Sequence, residues 1–219
     1  HFGIALTQAS HANIAVHQHQ SLRHAGKISR MSDQSLAEQK RALRTDLAAR
    51  RAAMAYDPDL ATGIMRHLAE LCTARASKKV ACYLPFGTEP DTELFIDWAM
   101  DASIEILLPV SRADGSLDWV IFEGETETGI FGFAEAVGAP QSLDGVDLII
   151  APAMAIDQKG NRLGKGKGYY DRALQQHTIP VVAVVFDDEL LEQVPHEPHD
   201  RPVHAVVTPT QLVVFAALN

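Results

Sequence analysis

The strongest constraint on this chain is a set of short apolar runs set between stretches of helical character. Lys79 to Leu84 reads KVACYL, Val146 to Ala151 reads VDLIIA, and Ile179 to Phe186 carries another run rich in valine. Each is the length of a strand and too short for a typical helix. Further strands are expected at Ile104 to Val110, with Pro109 marking its end, at Leu117 to Phe122, at Val203 to Val207 and at Val213 to Phe215. Between them lie helices. One is predicted from Ser35 to Met54, where Ala, Leu, Arg, Lys and Gln dominate and Leu36, Leu43 and Leu47 recur at helical spacing. Asp57-Pro58 supplies a cap and a first-turn proline for a second, to about Arg75. A third spans Thr92 to Met100, capped by Asp91 or Thr92, a fourth Gly168 to about His177, and a short one Asp188 to Gln193. Residues 123–145 and 152–167 read as loops. Strands alternating with helices predict an α/β chain: an open, mostly parallel sheet flanked by helices on both faces, in a Rossmann-like three-layer arrangement.

Composition narrows what such a chain can do. Its 219 residues suit one α/β domain, and 47% hydrophobic residues allow a sizeable core without disulfides or metals. A formal net charge of −9 disfavours nucleic acid as a partner, so an anionic substrate must meet a local basic site. Cys72 and Cys82 sit in apolar surroundings without metal-ligand spacing, which reads as buried reduced thiols in a cytoplasmic protein. No run of eighteen apolar residues is present, and no membrane partner is expected. Residues 1–30 differ from the rest: they hold five of the ten histidines and no acidic residue. They are expected to form a disordered leader or extension, with residues 31–219 as a single α/β domain.

The chemistry concentrates after VDLIIA. Ligands in open α/β sheets bind at the carboxyl ends of strands, so the loop following this strand is well placed. It ends in Asn161-Arg162-Leu163-Gly164-Lys165-Gly166-Lys167-Gly168-Tyr169-Tyr170-Asp171-Arg172. Glycines allow close backbone approach and positive φ, the amides of a following helix favour an anion, and interleaved lysines neutralise phosphate. The string is neither a Walker loop nor a dinucleotide fingerprint. Taken alone, Gly-Lys-Gly-Lys-Gly is equally a flexible basic turn.

The full string resembles the signature of the 5-formyltetrahydrofolate cyclo-ligase family. The resemblance extends over roughly Lys40 to Thr208 and is densest at 147–172. KRALR, comprising Lys40, Arg41, Ala42, Leu43 and Arg44, looks like the family's amino-terminal ATP-contacting motif. Lys40 and Arg44 are i and i+4 on a helix, a spacing that also describes an ordinary solvated basic face. In YLPFGTEPDTELF, Leu84 and Glu89 match positions that contact the folate. An ionised Glu89 accepts hydrogen bonds and so suits the donor-rich pterin edge, although a surface acid is the bland alternative. GIFGFAEAVGAP places Phe131 where the family has a substrate-packing aromatic and Glu135 where it has a glutamate. It departs by carrying Phe133 for an aliphatic residue and Ala136 for proline, and a core phenylalanine remains the alternative for Phe131.

The resemblance implies that Arg162, Lys165 and Lys167 are catalytic. It assigns ATP to Lys40 through Arg44 and to Arg162 through Tyr170. Reduced folate falls to Leu84, Glu89, Phe131 and the stretch Lys165, Gly166, Lys167, Gly168 and Tyr169. Mg²⁺ falls to Asp171 and Asp200, hard oxygen ligands that share the ion with phosphate and water. His204 stands where the family often has aspartate and receives no catalytic role. The implied reaction passes the γ-phosphoryl group of ATP to the formyl oxygen of 5-formyltetrahydrofolate, after which ring closure expels phosphate and leaves 5,10-methenyltetrahydrofolate. Positioning and charge neutralisation suffice for such chemistry. The protein is expected to act as a cytoplasmic monomer. Two other readings stay open on the residues: a kinase or ligase for another small acceptor, and a non-catalytic nucleotide- or folate-binding domain.

Overall fold

A computed structural model describes residues 35–175, 177–197 and 200–218. The expectation for residues 1–30 lies outside them. By contacts the chain divides into two units, His1–Arg41 and Ala42–Asn219. The first helix, α1 (Leu36–Ala53), begins in one and ends in the other. Every strand and every later helix belongs to the second unit.

After α1 come α2 (Pro58–Arg75), β1 (Lys79–Ala81), α3 (Glu93–Asp101), β2 (Glu105–Ser111) and β3 (Leu117–Ile121). Then follow β4 (Thr126–Thr128), β5 (Ala134–Ala136), β6 (Pro140–Gln141), β7 (Leu148–Pro152), β8 (Ala155–Asp157), β9 (Arg162–Leu163) and α4 (Tyr169–Gln175). The chain ends through β10 (Val181–Val184), a 3-10 turn (Asp187–Glu189), β11 (Leu190–Leu191), β12 (Ala205–Val207) and β13 (Leu212–Val214). The main sheet has eight strands in the order β13-β12-β10-β7-β1-β2-β3-β6. From β12 to β2 every pairing is parallel, and the edges close with antiparallel β13, β3 and β6. The expected α/β class with a mostly parallel sheet is therefore what the chain forms.

Strand alternation explains why these runs are apolar throughout. Leu148 and Ile150 of β7 face one side with Val182 and Val184 of β10 and Ile106 and Leu108 of β2, where Ile64 and Leu68 of α2 and Phe95 and Ile96 of α3 cover them. Ile149 and Ala151 face the other with Val181, Ala183 and Leu107, where Leu174 of α4 packs. The α2 helix starts as expected: the Asp57 side chain accepts the Asp59 N–H at 3.0 Å, and Pro58 opens the first turn. At α3 the capping side chain is Asp91, which accepts the Glu93 N–H at 2.8 Å, while the Thr92 hydroxyl instead donates to the Tyr83 carbonyl at 2.7 Å.

Several expected boundaries shift. Pro109 does not end β2, which runs on to Ser111. Phe122 donates to Ile106, and Arg112 to Ser116, so the bonded pairs with β3 fall at even-numbered β2 residues and Pro109 needs no donor there. On the other edge its missing N–H stops the pairing with β1, whose register ends at Ala81 opposite Leu107. The span 123–145 is not bare loop but holds a β4–β5 hairpin and the edge strand β6. Likewise 152–167 contains β8 and β9, which form a small sheet in the order β11-β8-β9. The helix expected at Asp188–Gln193 is a 3-10 turn followed by β11, whose Leu190 and Leu191 are drawn off into parallel pairing with Ile156 and Asp157 of β8.

Candidate active site

A cavity of about 260 Å³ opens at the carboxyl ends of β1, β2 and β7. Three segments build it. The first follows β1. Its Glu89 is held at both oxygens: Oε2 accepts the Phe86 N–H at 2.9 Å and Oε1 meets Lys165 Nζ at 2.8 Å. That carboxylate side chain is only 8% exposed, which removes the surface-acid reading. The second is the β4–β5 hairpin, which brings Phe131 and Phe133. It is anchored by Glu135, whose buried carboxylate accepts the Ser111 N–H of β2 at 2.8 Å. The third is the loop from β9 to α4.

That loop bends at Gly166 (φ +92°) and Gly168 (φ +73°), a backbone region that side chains with a Cβ rarely adopt. Lys165 and Lys167 project from it over aromatic rings, Lys165 at 5.4 Å from Phe86 and Lys167 at 4.3 Å from Phe131. The rings form a wall: Phe86 against Phe133 at 4.7 Å, Phe133 against Phe131 at 6.2 Å, and Phe131 edge-on to Tyr169 at 6.0 Å. Arg162 lies beneath, 5% exposed, donating to the Pro152 carbonyl at 3.1 Å and paired with Asp171. The Tyr170 hydroxyl is buried and lacks a hydrogen-bond partner. Burial pushes its phenol well above the ordinary range, with Cys82 and Glu89 adding to the effect, so it stays protonated and cannot serve as a base. Burial likewise raises the Cys72 thiol to about 11 and that of Cys82 to about 12, which rules out a thiolate nucleophile at neutral pH.

The residues expected from the sequence thus converge in part. Leu84, Glu89 and Phe131 line the cavity opposite the loop residues Gly164 through Tyr170. Leu163 turns into the core at 1% exposure and can offer a ligand only its backbone. Within the amino-terminal motif, Arg44 reaches the loop from behind, its Nε donating to the Gly164 carbonyl at 2.8 Å and its guanidinium lying against Gly166. Ala42 is exposed and Leu43 packs toward the small cluster around Leu47, while Lys40 and Arg41 belong to the first unit. Asp200 and Asp171 do not line the main cavity together. They share a second, smaller one of about 20 Å³ with Arg162 and Arg201. Among the described residues no group of three or more acid, histidine or cysteine side chains surrounds a metal position.

Sequence reasoning missed the contributions of Phe86, Phe133 and Arg172. The Arg172 Nε donates to the Gly115 carbonyl at 3.0 Å and its Nη2 to the Lys167 carbonyl at 3.2 Å, clipping the glycine-lysine loop to the β2–β3 turn. Tyr169 adds a bond to the Arg112 carbonyl at 3.0 Å. The two phenylalanines could have been suspected from their places beside turn glycines. Arg172 closes the signature-like string, but its clip to Gly115, 57 residues away, is not legible there.

Fold and site define an α/β enzyme whose cavity sets a cationic, glycine-rich loop beside a cluster of aromatic rings. Lys165 and Lys167 of the loop lie directly over the Phe86 and Phe131 rings. The chain belongs to the 5-formyltetrahydrofolate cyclo-ligase family, whose model matches residues 36–209. It is 36% identical over 150 residues to the 5-formyltetrahydrofolate cyclo-ligase of Mycolicibacterium smegmatis, covering 64% of this chain and 77% of that protein. The enzyme of that name from Mus musculus is 27% identical over 189 residues, covering 77% of this chain and 92% of the relative. Among solved structures, the 5,10-methenyltetrahydrofolate synthetase of Aquifex aeolicus superposes with a TM-score of 0.72 at 28% identity, covering 81% of this chain and 93% of that one.

Proposed function

We propose that this chain uses ATP to close 5-formyltetrahydrofolate into 5,10-methenyltetrahydrofolate, with polyphosphate held by the loop 164–168 and the reduced folate lying on the aromatic wall. The observation that carries the reading is the Lys165–Glu89 pair. It joins a phosphate-binding cation to a carboxylate suited to a pterin, so the two halves of the reaction meet across one contact.

In this reading the formyl oxygen attacks the γ-phosphorus of ATP and ADP departs. The second amine nitrogen of the folate then attacks the activated formyl carbon, the carbon–oxygen bond to phosphate breaks, and the nitrogen gives up its proton. Lys165, Lys167 and the loop amides spread the charge that moves between phosphate oxygens. Arg162, fixed by Pro152 and Asp171, adds a third cation from below. Glu89 accepts from the donor edge of the pterin, while Leu84, Phe131 and the neighbouring rings hold its face and exclude water. No protein nucleophile is required.

Asp171 and Asp200 are assigned to Mg²⁺ by the family resemblance: they share the smaller cavity with Arg162 and Arg201, the ion would displace Arg162 from Asp171, and this metal takes one or two carboxylates with the remainder from phosphate and water. When bound there it would neutralise phosphate oxygens beside Arg162. On α1, Arg44 supports the loop, and Lys40 and Arg41 are assigned to ATP by the motif they share with it. No helix among the described residues is long and apolar enough to cross a membrane. We place the enzyme in the cytoplasm as a monomer, and its two buried, unpaired thiols fit that compartment.

The test is near-ultraviolet absorbance of the methenyl product, using purified protein, 5-formyltetrahydrofolate and Mg²⁺, with and without ATP. Growth of the signal only with ATP is the expected result. No product from a folded protein that still binds ATP would overturn the folate assignment.

A further inference from the structure

Among the described residues, a deeply buried charge pair lies outside the cavity. Arg51 and Glu189 are each 2% exposed and joined twice, Nε to Oε1 at 2.6 Å and Nη2 to Oε2 at 2.8 Å. Arg51 also donates to the Ala153 carbonyl at 2.7 Å, directly after β7, and its guanidinium lies 5.5 Å from the Phe186 ring, beyond β10. Glu189 accepts the Phe186 N–H as well. The pair therefore pins α1 to the carboxyl ends of two neighbouring parallel strands. Burial drives the Glu189 carboxyl up even with Arg51 pulling it down, a sign of how much solvation the pair gives up. Well-packed apolar residues usually stabilise such a position as well or better. Stability alone thus gives no reason for it.

Geometry supplies one. Arg44, Leu47 and Arg51 stand at i, i+3 and i+7, on one face of α1. Leu47 is buried in one small cluster with Leu163, which lies immediately before the glycine-lysine loop, and Arg44 grips that loop through the Gly164 carbonyl and the face of Gly166. A bidentate pair fixes rotation and axial position of a helix, which apolar contacts do loosely. We propose that Arg51 and Glu189 are positioning residues for the phosphate loop, setting the height of α1 so that Arg44 holds Gly164 to Gly168 in the conformation that binds ATP. The proposal rests on the assignment of that loop to ATP.

The experiment measures nucleotide binding directly by calorimetry, alongside steady-state kinetics and urea unfolding, for the wild type and for Arg51→Met combined with Glu189→Leu. The expected variant unfolds at a lower urea concentration, since the Ala153 carbonyl and the Phe186 N–H lose their buried partners, but it keeps its KM for folate while its ATP Kd and ATP KM rise between about tenfold and a hundredfold. Should the double variant fail to fold, Arg51→Lys keeps the buried pair charged but gives up its bidentate geometry, and a threefold or greater selective rise in ATP Kd is then expected. Unchanged ATP affinity in a folded variant would overturn the proposal. So would an equal rise in both KM values, which marks general loosening. If the wild type itself binds no ATP, the loop assignment fails first, and that outcome is visible before any variant is compared.

Discussion

Lys167 extends over Phe131 from a turn made possible by Gly166 and Gly168. Its charge is available to phosphate, whereas that of Lys165 is shared with Glu89. Replacing Lys167 with alanine is expected to raise the ATP KM on the order of tenfold to a hundredfold, the range for losing one charged hydrogen bond, with the unfolding midpoint unchanged. Normal ATP kinetics in that variant would remove Lys167 from the site. At this scale the sequence was most legible where residue type and spacing act locally. The glycines and lysines of the loop stand out in neighbouring letters, whereas Glu89 is singled out by the family resemblance. The roles of Arg172, Phe133 and Arg51 are not legible this way, because they come from partners far along the chain.

The elements fit together through close approaches as much as through apolar area. In α2 the glycine at 63 is costly for helix propensity, but a Cβ there would sit 2.1 Å from the Pro209 carbonyl beyond β12. Gly63→Ala should therefore destabilise by about 1–3 kcal/mol despite its better intrinsic propensity, read as a lower urea midpoint. A neutral or stabilised variant would mean that α2 moves away from the sheet without penalty. The small strands belong to the same scale. β8 and β9 hold only a few residues each and lack an apolar period long enough to read, yet β9 delivers Arg162 and Leu163 to the loop.

For the whole molecule, Asp157 and His204 are two groups whose shifts cost stability as pH falls. Burial would push the Asp157 carboxyl up, but bonds from the Asn161 side chain and from the backbone amides of Asn161, Lys159 and Val194 outweigh it and hold it below the usual range. Its contribution is present above the unfolded carboxylate pKa of about 4 and is lost as pH falls through the lower folded value. His204 is depressed by burial and then by Arg201, and its neutral Nδ1 accepts the Val181 N–H at 3.0 Å. The unfolded state binds that proton first, so stability falls as pH drops from about 6.5 toward the lower folded value and levels off beneath it. Urea midpoints across this window should therefore decline in two steps. His204→Gln is expected to flatten the upper step alone, and an unaltered profile would show that His204 does not contribute.

The sequence by itself determined the parallel core, since strands buried on both faces must be apolar at every position, and runs such as VDLIIA leave few other solutions. It also carried the family membership, because the string from Asn161 to Arg172 is a local pattern that can be read without the fold. Tertiary structure alone decided which side chains meet. It set Glu89 on Lys165 and Phe133 between Phe86 and Phe131. It placed Arg44 behind the loop and buried Arg51 with Glu189, 138 residues apart. Such contacts depend on the register and height at which whole elements dock, and a pairwise distance across a fold leaves no trace in the spacing of neighbouring residues.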